Sequence, residues 1–417
     1  MRVSTTAPRT LEQANFHHFV LDIAWFGLAL PATTRFLQVY AIHLGAGATE
    51  LGWMTMLPAI ILLFSASLGS RWMIRYKHDT NRAVFWPSLM FRLQFLLPAL
   101  TPFMPKAFQP TWLILSLALP ALPQGISSVV FLVMMRESVS EQQITPLLCR
   151  RSVAMNIAVG LSGLALGAWL NLVPFPLNYQ IMFGAAFILA LVSMWHVTKI
   201  HSLKQTNTAV RPAENDAHIN PWRFPKFQQV AFITLVIHIG FFSVFPLTPL
   251  YLVERLHADE IYMGVYALAE LAAGALVAGF TARIAARIGN RSVIAAAMMG
   301  TGIGTILIAT APNLYIALPA AAIIGGSWTA AGIALFSYFS ENTPVEGRAK
   351  FTVAYTQVVF LATFLGPMIG TGLRNAGISL VAVIMIGALL RSVAAGLTQL
   401  PAFEWTVRTV RTAMFTR

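Results

Sequence analysis

The chain has 417 residues, of which 57% are hydrophobic and only 10% are charged, and its formal net charge is +13 at pH 7. Soluble globular proteins carry roughly 25% charged residues, so this composition excludes a chain folded against water alone. The charge does not indicate a nucleic-acid binder either, because the basic residues form short clusters between long apolar runs and no continuous basic face.

Twelve apolar runs are long enough to cross a membrane as helices. A helix rises 1.5 Å per residue, so a hydrocarbon core of about 30 Å takes roughly 20 residues. Backbone groups must be paired in lipid, which favours helices. In the first half the runs lie near 16–40, 51–69, 83–101, 112–135, 152–171 and 179–198. In the second half they lie near 229–251, 261–282, 292–310, 316–340, 351–372 and 378–400. We expect the first run to be a span and not a removable signal peptide.

The basic residues between these runs predict the orientation of the chain. With the first residue inside, the inside segments hold 22 of the 28 Lys and Arg residues. The outside loops hold only Lys106, Arg255 and Arg374. This asymmetry follows the positive-inside rule. We therefore expect a multi-pass protein of the plasma or inner membrane, with both termini in the cytoplasm.

A polar segment at 199–228 separates the runs into two sets of six. It contains Pro, Asn and charges of both signs, as a flexible linker does. We therefore predict an N-terminal six-helix bundle at 1–198, a cytoplasmic linker at 199–228 and a C-terminal six-helix bundle at 229–417.

The two halves also repeat short patterns. After the first run, Tyr40 precedes Gly52 much as Tyr251 precedes Gly264 after the seventh run. Such echoes indicate an internal duplication, which many transporters use to build a site between their halves.

Two basic loops share a set of residues, one after the second run and one after the eighth. AARIGNRSV in the later loop contains Arg287, Gly289 and Arg291, and Gly69 and Arg71 lie in the earlier loop. These residues resemble the motif Gly-x-x-x-Asp-Arg-x-Gly-Arg-Arg, by which loops of the major facilitator superfamily gate the inner side. An alanine replaces the acid of that motif in the later loop.

Two further segments resemble motifs of the same family. The resemblance to this family extends over essentially the whole chain. In the fourth run ALPQGISS is similar to Arg-x-x-Gln-Gly-x-Gly-Ala at Gln124 and Gly125, with Ala121 in place of the arginine associated with proton-coupled members. LGPMIGTG in the eleventh run, with Gly366 and Pro367, resembles the antiporter Gly-Pro bend that the family places in its fifth span. The resemblance implies an all-α membrane protein with twelve transmembrane helices in two pseudo-symmetric six-helix bundles around a central cavity.

Ionisable side chains within the runs are candidates for function, because each costs roughly 3 kcal/mol inside a membrane. Asp22 lies in the first run and Glu270 near the middle of the eighth, where a carboxylate can take up and release a proton. His238 in the seventh run titrates near neutral pH when it is hydrated. The alternative for each is structural: Asp22 paired with a base, Glu270 in a hydrogen bond between helices, and His238 packed among apolar residues.

Three arginines also lie within the runs. Arg92 is central in the third run and cannot be neutralised by losing a proton. It needs a carboxylate or water, and it is a candidate to replace the missing arginine of the fourth run by facing Asp22. Arg35 and Arg391 are expected to extend their side chains toward the membrane surface.

The resemblance also implies which helices line the cavity. Helices one, four, ten and eleven do so in the family, and they carry Trp25, Gln124, Trp328 and Gln357. With Arg92, these residues are the substrate-cavity candidates, and they suit an organic molecule with an apolar body and a few polar groups. The alternative for the tryptophans is interfacial anchoring.

No catalytic motif is present in the sequence. It lacks the Gly-x-x-x-x-Gly-Lys-Ser/Thr phosphate loop, the His-Glu-x-x-His metal motif and the Gly-x-Ser-x-Gly nucleophile turn. Cys149 is the only cysteine, which excludes an internal disulfide and a cysteine-based metal cluster. We therefore expect no enzyme activity, no cofactor and no metal site.

These observations together predict a secondary active transporter that moves a small organic molecule by alternating access. The expected specific form is proton-coupled efflux by a monomer in the lipid bilayer. Solute uptake and lipid translocation are alternatives within transport, and a non-transporting membrane sensor on a transporter fold is the alternative outside it.

Overall fold

The computed structural model describes residues 10–65, 67–76, 79–203, 219–344 and 348–400. Within these residues the chain forms twelve helices that are long and apolar enough to cross a membrane, and it forms no β-strand. The first six are α1 (Leu11–His43), α2 (Ala48–Ser65), α3 (Thr80–Phe103), α4 (Lys106–Ser138), α5 (Gln142–Leu172) and α6 (Leu177–Thr198). The second six are α7 (Pro225–Leu256), α8 (Glu260–Ile288), α9 (Asn290–Thr310), α10 (Leu314–Glu341), α11 (Lys350–Asn375) and α12 (Leu380–Gln399).

The twelve predicted spans are confirmed, and several helices extend beyond the apolar runs. The first begins at Leu11 and ends at His43, well outside the run at 16–40. A helix satisfies its own backbone groups in lipid and in water, so an apolar run sets only its minimum length. The linker boundaries stay a prediction, since residues 204–218 lie outside the described part of the chain.

Consecutive helices run in alternate directions across the membrane. We call the side that holds the start of α1 and the end of α6 the linker side, and the opposite side the far side. The charge distribution of the sequence predicts that the linker side faces the cytoplasm.

The helices form two bundles with the same internal plan. In the first, α1 packs on α5 and α6, while α4 packs on α2 and α3. In the second, α7 packs on α11 and α12, while α10 packs on α8 and α9. The two sets of contacts match helix for helix, which confirms two pseudo-symmetric six-helix bundles.

The first helix of each bundle is irregular near mid-membrane. Pro31 in α1 has no N–H group to donate, and the following residues Ala32–Phe36 form a wider π-helical turn. In α7 the regular helix ends at Phe242 and resumes at Leu247. Such turns change the direction in which the following side chains point, and they occur often at functional sites.

Glycines allow the two bundles to touch on the far side. A Cβ on Gly264 of α8 would lie 2.8 Å from the Gly163 carbonyl oxygen of α5, and one on Gly52 of α2 would lie 2.4 Å from Thr371 Cγ2 of α11. The repeated glycines Gly52 and Gly264 therefore occupy equivalent contacts between the bundles, α2 with α11 and α5 with α8. Absence of a side chain permits this close approach of the helices.

Polar groups add to the far-side contact. The Thr49 hydroxyl donates to Asn375 Oδ1 at 3.0 Å, and the Asn171 amide donates to Asp259 Oδ2 at 2.9 Å. The Tyr179 hydroxyl donates to Glu260 Oε1 at 3.0 Å. These bonds join the first bundle to the second, so the described conformation is closed on its far side.

Replacing Gly264 with alanine should open this closed side. The added methyl group would clash with backbone, which cannot move aside like a flexible side chain, so the bundles must separate there. Spin labels on the exposed residues Leu172 and Tyr315, one in each bundle, would report the separation after both are changed to cysteine and the native Cys149 to alanine. We expect a longer label-to-label distance in Gly264→Ala than in the parent.

Gly279→Ala is the matched control, because it lies in the same helix and its Cβ would meet no atom within 4 Å. It should leave the distance distribution unchanged. Equal distributions for the parent and Gly264→Ala would show that this glycine contact does not hold the far side closed.

Candidate functional site

A cavity of ≈ 570 Å³ lies between the two bundles. Pockets that hold small organic molecules typically measure about 300–1,000 Å³, so this volume suits such a ligand. The cavity extends toward the linker side past Ser152, Ala278 and Ile333. A narrow pocket of ≈ 40 Å³ adjoins it toward the far side and shares Arg35 and Glu270 in its lining.

An ion pair between the bundles lies where the two pockets meet. Arg35 Nη2 of α1 is 2.6 Å from Glu270 Oε2 of α8. Arg35 is eight residues from the far-side end of α1 and Glu270 is ten residues from that end of α8, or about 12 and 15 Å along their helices. The pair therefore lies near mid-membrane, and its side chains remain 27% and 17% exposed to the cavity.

Local backbone features place both partners of this pair. Arg35 belongs to the π-helical turn that follows Pro31. Glu270 lies where α8 approaches α10 most closely, because a Cβ on Gly325 would be only 2.3 Å from the Glu270 carbonyl oxygen. The π-helical turn thus directs Arg35, and the close crossing of α8 and α10 fixes the position of Glu270.

Arg35 has few protein partners for its hydrogen-bond donors. Within the described residues Glu270 is the only group with which it makes a polar contact. A guanidinium carries five N–H donors in a planar fork, so most of those on Arg35 remain available to a molecule in the cavity.

Arg391 of α12 lies beside the same site but differs in its contacts. It lines the narrow pocket and is only 3% exposed. Its guanidinium donates to the carbonyl oxygens of Gly240, Phe241 and Thr301, and also to the Thr305 hydroxyl. The expected extension toward the membrane surface is therefore wrong for Arg391, because neutral acceptors inside the bundle satisfy it.

Aromatic rings form much of the cavity wall. Trp328 of α10 stacks on Phe241 of α7 with ring centroids 3.7 Å apart, and Phe242 and Phe245 line the same cavity. His238 contacts Trp328 edge-on at 5.3 Å and shares a hydrogen bond with the Thr234 carbonyl oxygen, but it does not itself line this cavity. The wall can therefore cover an apolar body over a large area.

Asp22, the second carboxylate candidate, lies in a buried cluster inside the first bundle. It is 4% exposed, and its oxygens are 2.7 Å from the Ser193 hydroxyl, 3.1 Å from Arg151 Nη1 and 3.5 Å from Arg92 Nη2. The structure thus brings Arg92 to face Asp22 as anticipated from the sequence. Arg92 also donates to the backbone oxygens of Ala190 and Ser88, so the cluster ties α1, α3, α5 and α6 together.

The other substrate-cavity candidates are dispersed. Trp328 lines the cavity, whereas Trp25, Gln124 and Gln357 are partly buried and do not line it. Their proposed role in the substrate cavity stays a prediction.

The loop residues with a predicted gating role lie on the linker side. Gly69 packs against Val129 of α4, and the side chains of Arg71 and Arg287 are exposed. Gly289 has φ +85°, a backbone conformation that favours glycine. Arg291 donates to the Thr398 and Leu400 carbonyl oxygens of its own bundle. Their gating role stays a prediction.

Sequence reasoning missed Arg35 and the Phe241–Phe245 segment as parts of the cavity. Arg35 was expected at the surface because the first apolar run ended at residue 40, whereas the helix continues to His43. The preceding Pro31 was the available signal, since a proline before a charged residue can mark an irregular turn.

Comparisons with known proteins support the assignment of the fold. The model of the Major Facilitator Superfamily matches residues 19–367 of the chain. No curated protein sequence is significantly similar to it.

Several solved transporters have a similar structure. The inward-open xylose transporter from E. coli has a TM-score of 0.71 and 12% identity, covering 96% of this chain and 98% of its own. An auto-inhibited POT-family peptide transporter has a TM-score of 0.72 and 10% identity, covering 92% and 96%. A nucleoside transporter has a TM-score of 0.65 and 11% identity, covering 93% and 99%. At such identities the likeness shows the fold alone.

Replacing Asp22 with asparagine tests whether its cluster is structural. The change leaves the buried Arg92 and the partly buried Arg151 without their shared carboxylate, and breaking a buried ion pair costs about 3–5 kcal/mol. We therefore expect a clearly lower thermal midpoint for the detergent-purified protein. Glu270→Gln is the control and should lower the midpoint less, because the cavity leaves its partner Arg35 partly exposed. An Asp22→Asn protein as stable as the parent would argue against the structural role.

Proposed function

The chain belongs to the Major Facilitator Superfamily, and on that premise we propose that it is a secondary active transporter of a small organic molecule, coupled to protons through Glu270. The two bundles move by alternating access, which exposes the cavity between them to one side of the membrane at a time.

The observation that carries this proposal is the Arg35–Glu270 ion pair. It joins the bundles across the cavity, near mid-membrane, in a conformation that is closed on the far side. Ionisable residues at such a position are costly and commonly mark ion or substrate pathways.

Protonation of Glu270 would change the contact between the bundles. An ionised Glu270 attracts Arg35, whereas a neutral one removes the electrostatic part of that attraction and leaves the guanidinium free. The proton thereby alters both the affinity of the cavity and the energy of moving the bundles apart. A single carboxylate can in this way couple proton movement to substrate movement.

The linker side carries most of the basic residues, so we propose that it faces the cytoplasm, in a plasma or inner membrane, and that the described conformation is inward-open. A monomer contains the whole cavity, because both bundles belong to one chain. Export, the direction expected from the sequence, can be driven by an inward proton gradient only if proton and substrate bind in alternation. The charge of the substrate decides whether the proton and the substrate bind in alternation or together.

Proton flux in proteoliposomes tests the proposal. Vesicles with an imposed pH gradient and an internal pH dye are challenged with lipophilic cations, sugars, organic acids and peptides, and the flux in protein-free vesicles is subtracted. We expect one class to drive proton movement through the parent protein and not through Glu270→Gln, which cannot exchange a proton.

Glu254→Gln is the matched control, since Glu254 is an exposed acid at the far-side end of α7, and it should retain the flux. Coupled flux that persists in Glu270→Gln would contradict coupling through this residue. Absence of proton movement with every class would favour uniport, another ion or lipid movement.

A further inference from the structure

We infer that the substrate is a small organic anion with an apolar, ring-sized body, whose carboxylate binds Arg35 and which crosses the membrane together with a proton on Glu270. This inference names the substrate class of the site described above and rests on the proposed function.

The three intramembrane arginines differ in how fully the protein satisfies them. Arg92 contacts Asp22, the Ser193 hydroxyl and two backbone oxygens. Arg391 contacts three backbone oxygens and a hydroxyl. Arg35 contacts Glu270 alone among the described residues, and it is the one of the three that lines the large cavity. Its planar guanidinium fork can donate to both oxygens of a carboxylate.

The charge of the site also favours an anion. The narrow pocket is lined by Arg35, Arg391 and Glu270. Among the described residues these are the only charged ones in its lining or in that of the large cavity. With Glu270 ionised, the site holds one surplus positive charge, and a cationic substrate would increase that surplus.

The substrate carboxylate would take the place of Glu270 at Arg35. When Glu270 is protonated, Arg35 loses its ionic partner and an incoming carboxylate restores one. A monoanion and a proton together add no net charge, so the loaded and the empty cavity carry the same charge as the bundles move. This balance distinguishes a carboxylate from a doubly charged phosphate monoester.

The remainder of the wall fits the body of such a molecule. Phe241, Phe242, Phe245 and Trp328 supply ring surfaces, while Asn156 and Thr329 supply a few polar groups. A volume of ≈ 570 Å³ leaves space for one or two rings. A simple inorganic anion would leave this aromatic surface uncovered.

Binding of proton and anion should be mutually favourable, because thermodynamic coupling between two sites is reciprocal. The charged and titratable groups around Glu270 are Arg35 on α1, Arg391 on α12 and Tyr266 on its own helix. An inward proton gradient would then drive uptake of the anion, whereas export would need an outward gradient of the anion itself.

Matched probes of one shape and different charge test the inference. Phenylpropionate and indoleacetate carry a carboxylate, phenylpropanamide and indoleacetamide are their neutral counterparts, and phenylpropylamine and tryptamine are cationic. Binding to the detergent-purified full chain is measured by calorimetry. We expect the carboxylates to bind and both other sets to bind at least roughly tenfold more weakly.

Variants of Arg35 and of Glu270 test the contribution of each residue to binding. Arg35→Gln should abolish the preference for carboxylate over amide, and Arg35→Lys, which keeps the charge without the planar fork, should weaken carboxylate binding roughly tenfold. Glu270→Gln imitates the protonated acid, so it should tighten carboxylate binding roughly fivefold or more. The double variant Arg35→Gln/Glu270→Gln, which leaves no unpaired carboxylate, should show no preference and guards against misfolding of Arg35→Gln.

Three results would overturn the inference: amides or amines that bind as well as the acids, a carboxylate preference that survives in the double variant, or no binding by either acid. If neutral or cationic probes drive Glu270-dependent proton flux, the proposed function stands and this inference falls. If the acids bind through Arg35 but no probe moves protons, the inferred anion site stands and the proposed coupling falls.

Discussion

A guanidinium inside a membrane protein cannot shed its charge, so it must be surrounded by acceptors or by water. This constraint determines which groups surround each of the three intramembrane arginines. Arg92 and Arg391 are each 3% exposed and are enclosed by backbone oxygens, hydroxyls and, for Arg92, a carboxylate. Arg35 receives one carboxylate from the opposite bundle and opens onto a cavity. Arg92 and Arg391 each join helices within one bundle, whereas Arg35 connects the two bundles.

In each bundle a buried arginine joins three helices, but the arginine lies on a different helix of the set. Arg92 of α3 joins α1 to α6 in the first bundle, and Arg391 of α12 joins α7 to α9 in the second. These helices are equivalent by the internal repeat, yet the arginine comes from a different member of each set. The first set contains Asp22, while carbonyl oxygens and the Thr305 hydroxyl surround the charge in the second. The second bundle therefore places an arginine without a carboxylate partner of its own beside the cavity, whereas in the first bundle Arg92 and Arg151 share the carboxylate of Asp22.

Much of the fold could be predicted from the sequence, because lipid imposes a length and a hydropathy on every span. Gly52 and Gly264 indicated the internal duplication in the sequence, and the structure places them at equivalent contacts between the bundles. The candidate site could be predicted from the sequence only in part. Glu270 and Trp328 were identified by depth and type, but the role of Arg35 depends on a π-helical turn and on three extra residues of helix. Neither feature has a hydropathy signal. The same limit applies to Trp25, since periodicity cannot tell which face of a lining helix meets the cavity.

The charges at the two ends of the molecule also favour the described conformation. Asp259 and Glu260 of the second bundle meet Asn171, Tyr179 and His43 of the first, with His43 Nδ1 3.5 Å from Glu260. On the linker side the corresponding loops are basic in both bundles, and the acid of the family motif is missing from the later loop. Closing that side brings the basic clusters of the two bundles together, and the repulsion between like charges opposes this closure. Under the proposed alternating access, the drive to open the far side therefore comes from the middle of the molecule, where Arg35 and Glu270 form the ion pair whose strength a proton or a ligand would change.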